Sequence, residues 1–226
     1  MNYYDYFIRQ VEKEYRLVAN SNFLSMLLDG TAPAEAYALF LRETYHLSRH
    51  TSRFLAAAAA NMPDEKDAIR SRFLHHAVEE DGHHKFALKD LRNLGYPDTY
   101  APDSYPLAGT CAIVSYHYYL AFIDNPIGML GAVVVFEGLA EAFAGRISDV
   151  LQQKQNLPLA AVSFLHTHGK FDIDHMREAR EVLNELVTEE KDKQDIIEVA
   201  KKMYRYYSMN FDEIYERTII KEMASV

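Results

Sequence analysis

One cysteine, Cys111, is all the thiol chemistry this 226-residue chain possesses. It excludes an intramolecular disulfide and any cysteine-rich zinc module, and it fits a reducing, cytoplasmic compartment. Proline and glycine are sparse as well, at 7 and 9 residues, and the prolines, with Gly30 and Gly95, gather at Gly30 to Pro33, Pro63, Gly95 to Pro106, Pro126 and Pro158. The long segments between them contain no proline to interrupt a helix. There is no Lys/Arg block, and 24 basic against 33 acidic residues leave a net charge of −9, so a nucleic-acid partner is not expected. The N-terminal Met1-Asn2-Tyr3-Tyr4-Asp5 has neither the basic nor the apolar region of an export signal. The nearest approach to a membrane span, Ile127 to Gly145, contains Glu137 and Glu141. Charges near a bilayer centre are costly, so a buried helix and no membrane association are expected. Without a Gly-rich phosphate loop, a G-x-S-x-G elbow or an H-E-x-x-H helix, kinase, hydrolase and peptidase chemistry lack their usual parts, and no nucleotide cofactor is indicated.

What is present is a globular composition, 49% apolar and 25% charged, in a length suited to one helical domain over residues 1–226. The uninterrupted segments predict helices at roughly 3–19, 33–61, 64–93, 107–123, 127–154, 159–187 and 190–223, and no strand. Pro63-Asp64-Glu65 supplies a helix start, and Gly95 after Arg92-Asn93-Leu94 supplies a stop. The last segment is amphipathic, which suits packing along the bundle and allows a homodimer. The fold class is all-α.

The ten histidines carry the functional signal through their spacing from acids. His76, Glu80 and His83 fall at 0, 4, 7, as do His168, Asp172 and His175, so each trio shares one helical face. Glu43, His46 and His50 make a third face, and Glu137 follows the apolar Val133-Val134-Val135-Phe136. An acid three residues before a histidine lets both reach one ion or bridge two. Di-iron bundles use two such pairs plus single glutamates from two other helices. Here the pairs are Glu80 with His83 and Asp172 with His175, and the single glutamates are Glu43 and Glu137, with His76, His46 and His50 as further candidates. Acid-x-x-His pairs are common, and roughly one or two are expected by chance, so the weight lies in the set. Burying such a set without a metal would cost several kcal/mol per group. Carboxylate and imidazole donors without thiolate favour iron, with manganese possible, over structural zinc. His117 reads as a satisfied core or pocket histidine, and His75, His84 and His166 as off-face or solvated. Tyr116, Tyr118, Tyr119 and Phe122, beside His117 on the helix before Glu137, could line a pocket next to the metals, though an aromatic core stripe is the commoner reading.

At these residues the sequence resembles the haem-oxygenase-like di-iron oxidases and oxygenases, also called iron-containing redox enzymes, within the TenA/PqqC-like superfamily. The resemblance rests on Glu80 and His83, then Glu137, then His168, Asp172 and His175. Glu79-Glu80-Asp81-Gly82-His83-His84 followed by Leu88-Lys89-Asp90-Leu91 adds to it, over roughly residues 33 to 185. It implies a haem-oxygenase-like bundle of about seven helices. It further implies two iron ions rather than haem, and the oxidation by dioxygen of a small substrate such as a fatty acid, amino acid or amine. Many members have a glutamate where this chain has His76. Either His76 takes its place as a nitrogen ligand, or Glu43 supplies the carboxylate; Glu43 is preferred because it restores the count of two glutamates and two pairs. Two alternatives stand beside this reading. One is a metal-free TenA-like thiamine-pathway hydrolase, with Cys111 its sole candidate nucleophile; the other is a non-enzymatic helical metal-binding or interaction protein.

Overall fold

The computed structural model describes residues 2–220, with all side chains of these except those of residues 170–173 and 220. Among the described residues nine α-helices follow one another with no strand: α1 (Tyr3–Ala19), α2 (Asn22–Asp29), α3 (Ala34–Asn61), α4 (Asp67–Glu79), α5 (His84–Asn93), α6 (Ala108–Phe122), α7 (Met129–Gln155), α8 (Ser163–Glu185) and α9 (Glu190–Tyr215). Six of the seven predicted helices appear near their predicted bounds, although the predicted end at 223 lies outside the described residues.

Two features depart from the prediction. The first is α2, which lies in a stretch read as a connection. Ser21 caps it by accepting from the Leu24 amide, and Gly30 ends it in the left-handed region at φ 71°. The second is the segment 64–93, which is two helices. Gly82 adopts φ 90°, a conformation L side chains rarely take, and the chain breaks between Glu79 and His84. His76, Glu80 and His83 therefore do not share one continuous helical face. The break separates them.

α3 runs through the middle of one half of the bundle, packing on α4, α5 and α6, while α7 lies along α8, and α9 closes against α1, α6 and α7. The core is filled by side chains such as Phe7, Phe23, Tyr37, Phe54, Leu55, Ile113 and Leu120, all below 3% exposed. Pro126–Gln155 is apolar and long enough to cross a membrane, but 61% of its most apolar window is buried inside the fold, as in a core helix.

Asp90 on α5 fixes where α8 begins. Fully buried, it accepts from the Phe164 amide at 2.8 Å and from the Ser163 hydroxyl, which satisfies the first turn of α8. Burial pushes its carboxyl up, against the opposing pull of those bonds. Asp90→Ala strands these donors and is expected to lower stability by about 2–3 kcal/mol, measured by urea denaturation. An effect below about 0.5 kcal/mol would contradict the assigned role.

Candidate metal centre

Four elements bring ligand atoms together. α4 contributes His76, the break after it Glu80 and His83, α7 Glu137, and α8 His168 and His175. Among the described residues, His76, Glu80, Glu137 and His175 each offer one ligand atom within 4.8 Å of all the others, and Glu80, His83 and His168 do the same. Glu80 belongs to both groups, and the break explains how. A carboxylate at the end of α4 faces His76 on its own helix and His83 across the joint.

Closest approaches within the groups are 3.0 Å from His83 Nδ1 to Glu80 Oε1, 3.1 Å from His175 Nδ1 to Glu137 Oε2 and 3.3 Å from His76 Nε2 to Glu137 Oε1. Donors bound to one ion at about 2.0–2.2 Å sit roughly 3 Å apart, so this is the spacing of a ligand set. Two of the nitrogens, His76 Nε2 and His83 Nδ1, are buried and make no hydrogen bond. They stand near carboxylate oxygens without the alignment a hydrogen bond requires, and buried polar atoms left so are rare unless something else satisfies them. A cation shared by nitrogen and oxygen would satisfy both. The residues present therefore fit a metal, and with oxygen and imidazole donors and no thiolate they fit iron or manganese.

The electrostatics agree with this. Burial by itself would raise Glu137, but His175 and His76 hold its carboxyl well below the usual range. For His76, burial acts downward, and the carboxylates of Glu137 and Glu80 turn the net shift upward. His168 is pushed down, chiefly by burial, and stays neutral. Its Nδ1 donates to the Phe164 carbonyl at 2.8 Å, which fixes the tautomer and leaves Nε2 with a free lone pair, the arrangement a metal-binding histidine needs.

Other candidates lie elsewhere or are not described. Glu43 is absent from both groups. Buried at 1% exposure, it accepts from the Leu107 amide at 2.7 Å and from Arg42 at 2.8 and 2.9 Å, so its charge serves the start of α6. His46 lies 2.9 Å from the Ser104 hydroxyl and His50 3.0 Å from that of Tyr118. Neither joins a cluster. It is His76, not Glu43, that the structure places beside Glu80. The Asp172 side chain lies outside the described residues. Glu79, not singled out from sequence, has a carboxylate oxygen 3.7 Å from His175 Nε2; its place beside Glu80 in the Glu79-Glu80-Asp81 run was the available signal.

A cavity of about 110 Å³ opens on the clusters, lined by His76, Glu80, Glu137 and His168 and by apolar groups including Leu55, Val133 and Phe136. A second, of about 70 Å³, adjoins it through Phe136, Ala140, Phe164, His168 and Tyr207 and is otherwise lined by apolar side chains such as Leu24, Phe143 and Ile147. Of the aromatic residues on α6, His117 lines the first cavity, while Tyr119 and Phe122 are exposed.

A family model described as iron-containing redox enzyme matches residues 38–208. The chain belongs to that family. Its members' haem-oxygenase-like fold is seen again in solved structures. A domain of unknown function from Shewanella denitrificans with a heme oxygenase-like fold shares 24% identity over 96% of this chain and 93% of its own, at a TM-score of 0.84. A TenA homologue from Pseudomonas syringae pv. tomato shares 12% identity over 95% and 93%, at 0.81. Heme oxygenase-1 from the cyanobacterium Synechocystis, solved with heme, shares 15% over 99% and 96%, at 0.73. No curated protein matches in sequence. At these identities the likeness is one of fold, so this iron-containing redox enzyme family member must be read from its own site.

Proposed function

We propose that this protein is a dioxygen-dependent oxidoreductase holding two metal ions, iron before manganese, and acting on a small, largely aliphatic substrate. The carrying observation is Glu80, whose one carboxylate belongs to two adjacent groups of donors. One ion would take His76, Glu80, Glu137 and His175, and the other Glu80, His83 and His168. Asp172, on α8 between His168 and His175, joins the set on its spacing alone. When bound, such a pair of divalent ions would supply two of the four electrons that dioxygen takes up on full reduction, the oxidised substrate supplying the other two.

The rest is the work of the chain. Glu80 and Glu137 give the site negative charge to hold cations, and the Phe164 carbonyl keeps the His168 ring in its ligating tautomer. Leu55, Val133 and Phe136 keep the cavity walls apolar, which excludes water from beside the donors. The adjoining apolar cavity gives an aliphatic tail a place to lie.

The TenA-like hydrolase reading relies on Cys111. That thiol is exposed, is not among the cavity-lining residues, and is pushed up by burial and by Glu43 and Glu213, the reverse of an activated nucleophile. Anaerobic loading with ferrous iron followed by metal analysis tests the proposal: about two irons per chain are expected, with oxygen uptake on exposure to air. Fewer than about one iron per chain, unaffected by Asp172→Ala, would sink it. Hydrolysis of a thiamine analogue that survives chelation would favour the alternative.

A further inference from the structure

The reaction proposed above draws two electrons from the bound ions and two from the substrate, so each turnover leaves the ions oxidised. The next turnover needs two electrons from outside the site. This chain has no store for them. Cys111 is its one thiol, so no dithiol can form, and it carries no Gly-rich nucleotide loop. The electrons must come from another molecule.

Three cations gather over the break that carries Glu80 and His83. Arg49 on α3 lies over the Tyr45 ring, 5.4 Å from its centroid, and the same ring stands 6.0 Å from that of His84, the first residue of α5. Arg53 follows one helical turn after Arg49 and is exposed. Lys85 is exposed too, and its Nζ lies back over Gly82, 3.5 Å from where a Cβ on that glycine would stand. Burial and the charges of Lys85, Arg49 and Arg53 push His84 down, against the nearby acid Asp81; burial with Arg49 and Arg53 does the same to His50. Among the described residues none of the three cations forms an ion pair.

In a chain of net charge −9 this grouping reverses the sign locally. The protein as a whole repels an acidic partner, and this face attracts and orients one. The position suits electron entry. His84 is bonded to His83, whose side chain is 12% exposed and which belongs to one of the two donor groups. A contact centred on three charges is small, as electron-transfer encounters are.

We propose that Arg49, Arg53 and Lys85 form the docking face for an acidic one-electron carrier protein of the ferredoxin class, which returns electrons to the centre beside His83. Two visits restore the pair, each oxidising one carrier and reducing one ion by one electron. The need for a carrier rests on the oxidoreductase reading; the place rests on the cations.

The probe is an acidic plant-type [2Fe–2S] ferredoxin, titrated calorimetrically into metal-free and iron-loaded protein. Affinity should fall about tenfold or more when Arg49, Arg53 and Lys85 are all changed to Glu, and should weaken steeply with salt. The anaerobic rate at which reduced ferredoxin is oxidised by the iron-loaded protein should fall in step, with iron content unchanged. Should the triple variant fail to fold, Arg53→Glu with Lys85→Glu, both at exposed positions, should still cost about fivefold. The control is Arg9→Glu with Lys13→Glu, exposed on α1, which packs on α9; affinity should change less than about twofold. An equal loss from that control, full affinity in the folded triple variant, or tighter binding to phosphatidylglycerol vesicles than to ferredoxin overturns the proposal. A chain that takes no iron yet binds ferredoxin through the three cations defeats the oxidoreductase reading and not the docking face. A chain that takes two irons and consumes oxygen, yet binds ferredoxin no better than the triple variant does, defeats the docking face alone.

Discussion

Glu80→Ala is expected to empty both metal positions at once. Iron should fall from about two per chain to below about half of one, and oxygen-dependent turnover by about 10³-fold or more. The effect follows from its double membership: each of the other described donors belongs to one group, while Glu80 belongs to both. His168→Ala, which touches only the group with His83, should cost about one iron and leave the other. Glu43→Gln separates the two roles assigned to buried glutamates. Its partners are the Leu107 amide and Arg42, so iron content should hold while the melting temperature drops. Metal analysis of the three variants beside their thermal melts decides the matter. Iron retained in Glu80→Ala, or lost in Glu43→Gln, would return Glu43 to the site and remove Glu80 from its centre.

Gly131→Ala should be the most damaging of the single-methyl changes. A Cβ at this position would stand 2.1 Å from the Ile196 carbonyl oxygen and 3.0 Å from the Ala200 amide nitrogen, both backbone atoms of α9. No rotamer change can relieve a clash with backbone, so α7 and α9 must separate along a seam that also carries core contacts. Overpacking costs about 1–3 kcal/mol and sometimes more, against a gain of up to about 1 kcal/mol from replacing a mid-helix glycine. We expect a net loss of about 2 kcal/mol or more. Gly138 on the same helix is the control, since a Cβ there meets only the Met176 side chain at 3.8 Å, an ordinary contact. Gly138→Ala should be neutral or mildly stabilising. Denaturant unfolding of both gives the comparison, and equal midpoints would mean that the α7–α9 approach is looser than described.

Most helices were legible because proline is rare and falls only between the α-helices, as at Pro63 and Pro158. α2 was missed although Ser21 and Gly30 bracket an apolar run, because its eight residues lie among small turn-forming neighbours. The break at Gly82 was hidden by its own motif. The 0, 4, 7 pattern of His76, Glu80 and His83 suits an unbroken helix, and one glycine at positive φ overrode it. In the candidate site, spacing singled out His168 and His175 on α8, where the helix runs through both and each lies in one of the two groups. It could not choose between Glu43 and His76. What occupies Glu43 is the amide of Leu107, 64 positions away, and no local periodicity reports a partner that distant.

The interruption between α4 and α5 also gives the centre a mechanical layout. His76 rides on one rod, His83 opens the next, and Glu80 sits at the joint between them. The angle at which the two rods meet therefore sets how the two donor groups sit, with Glu80 common to both.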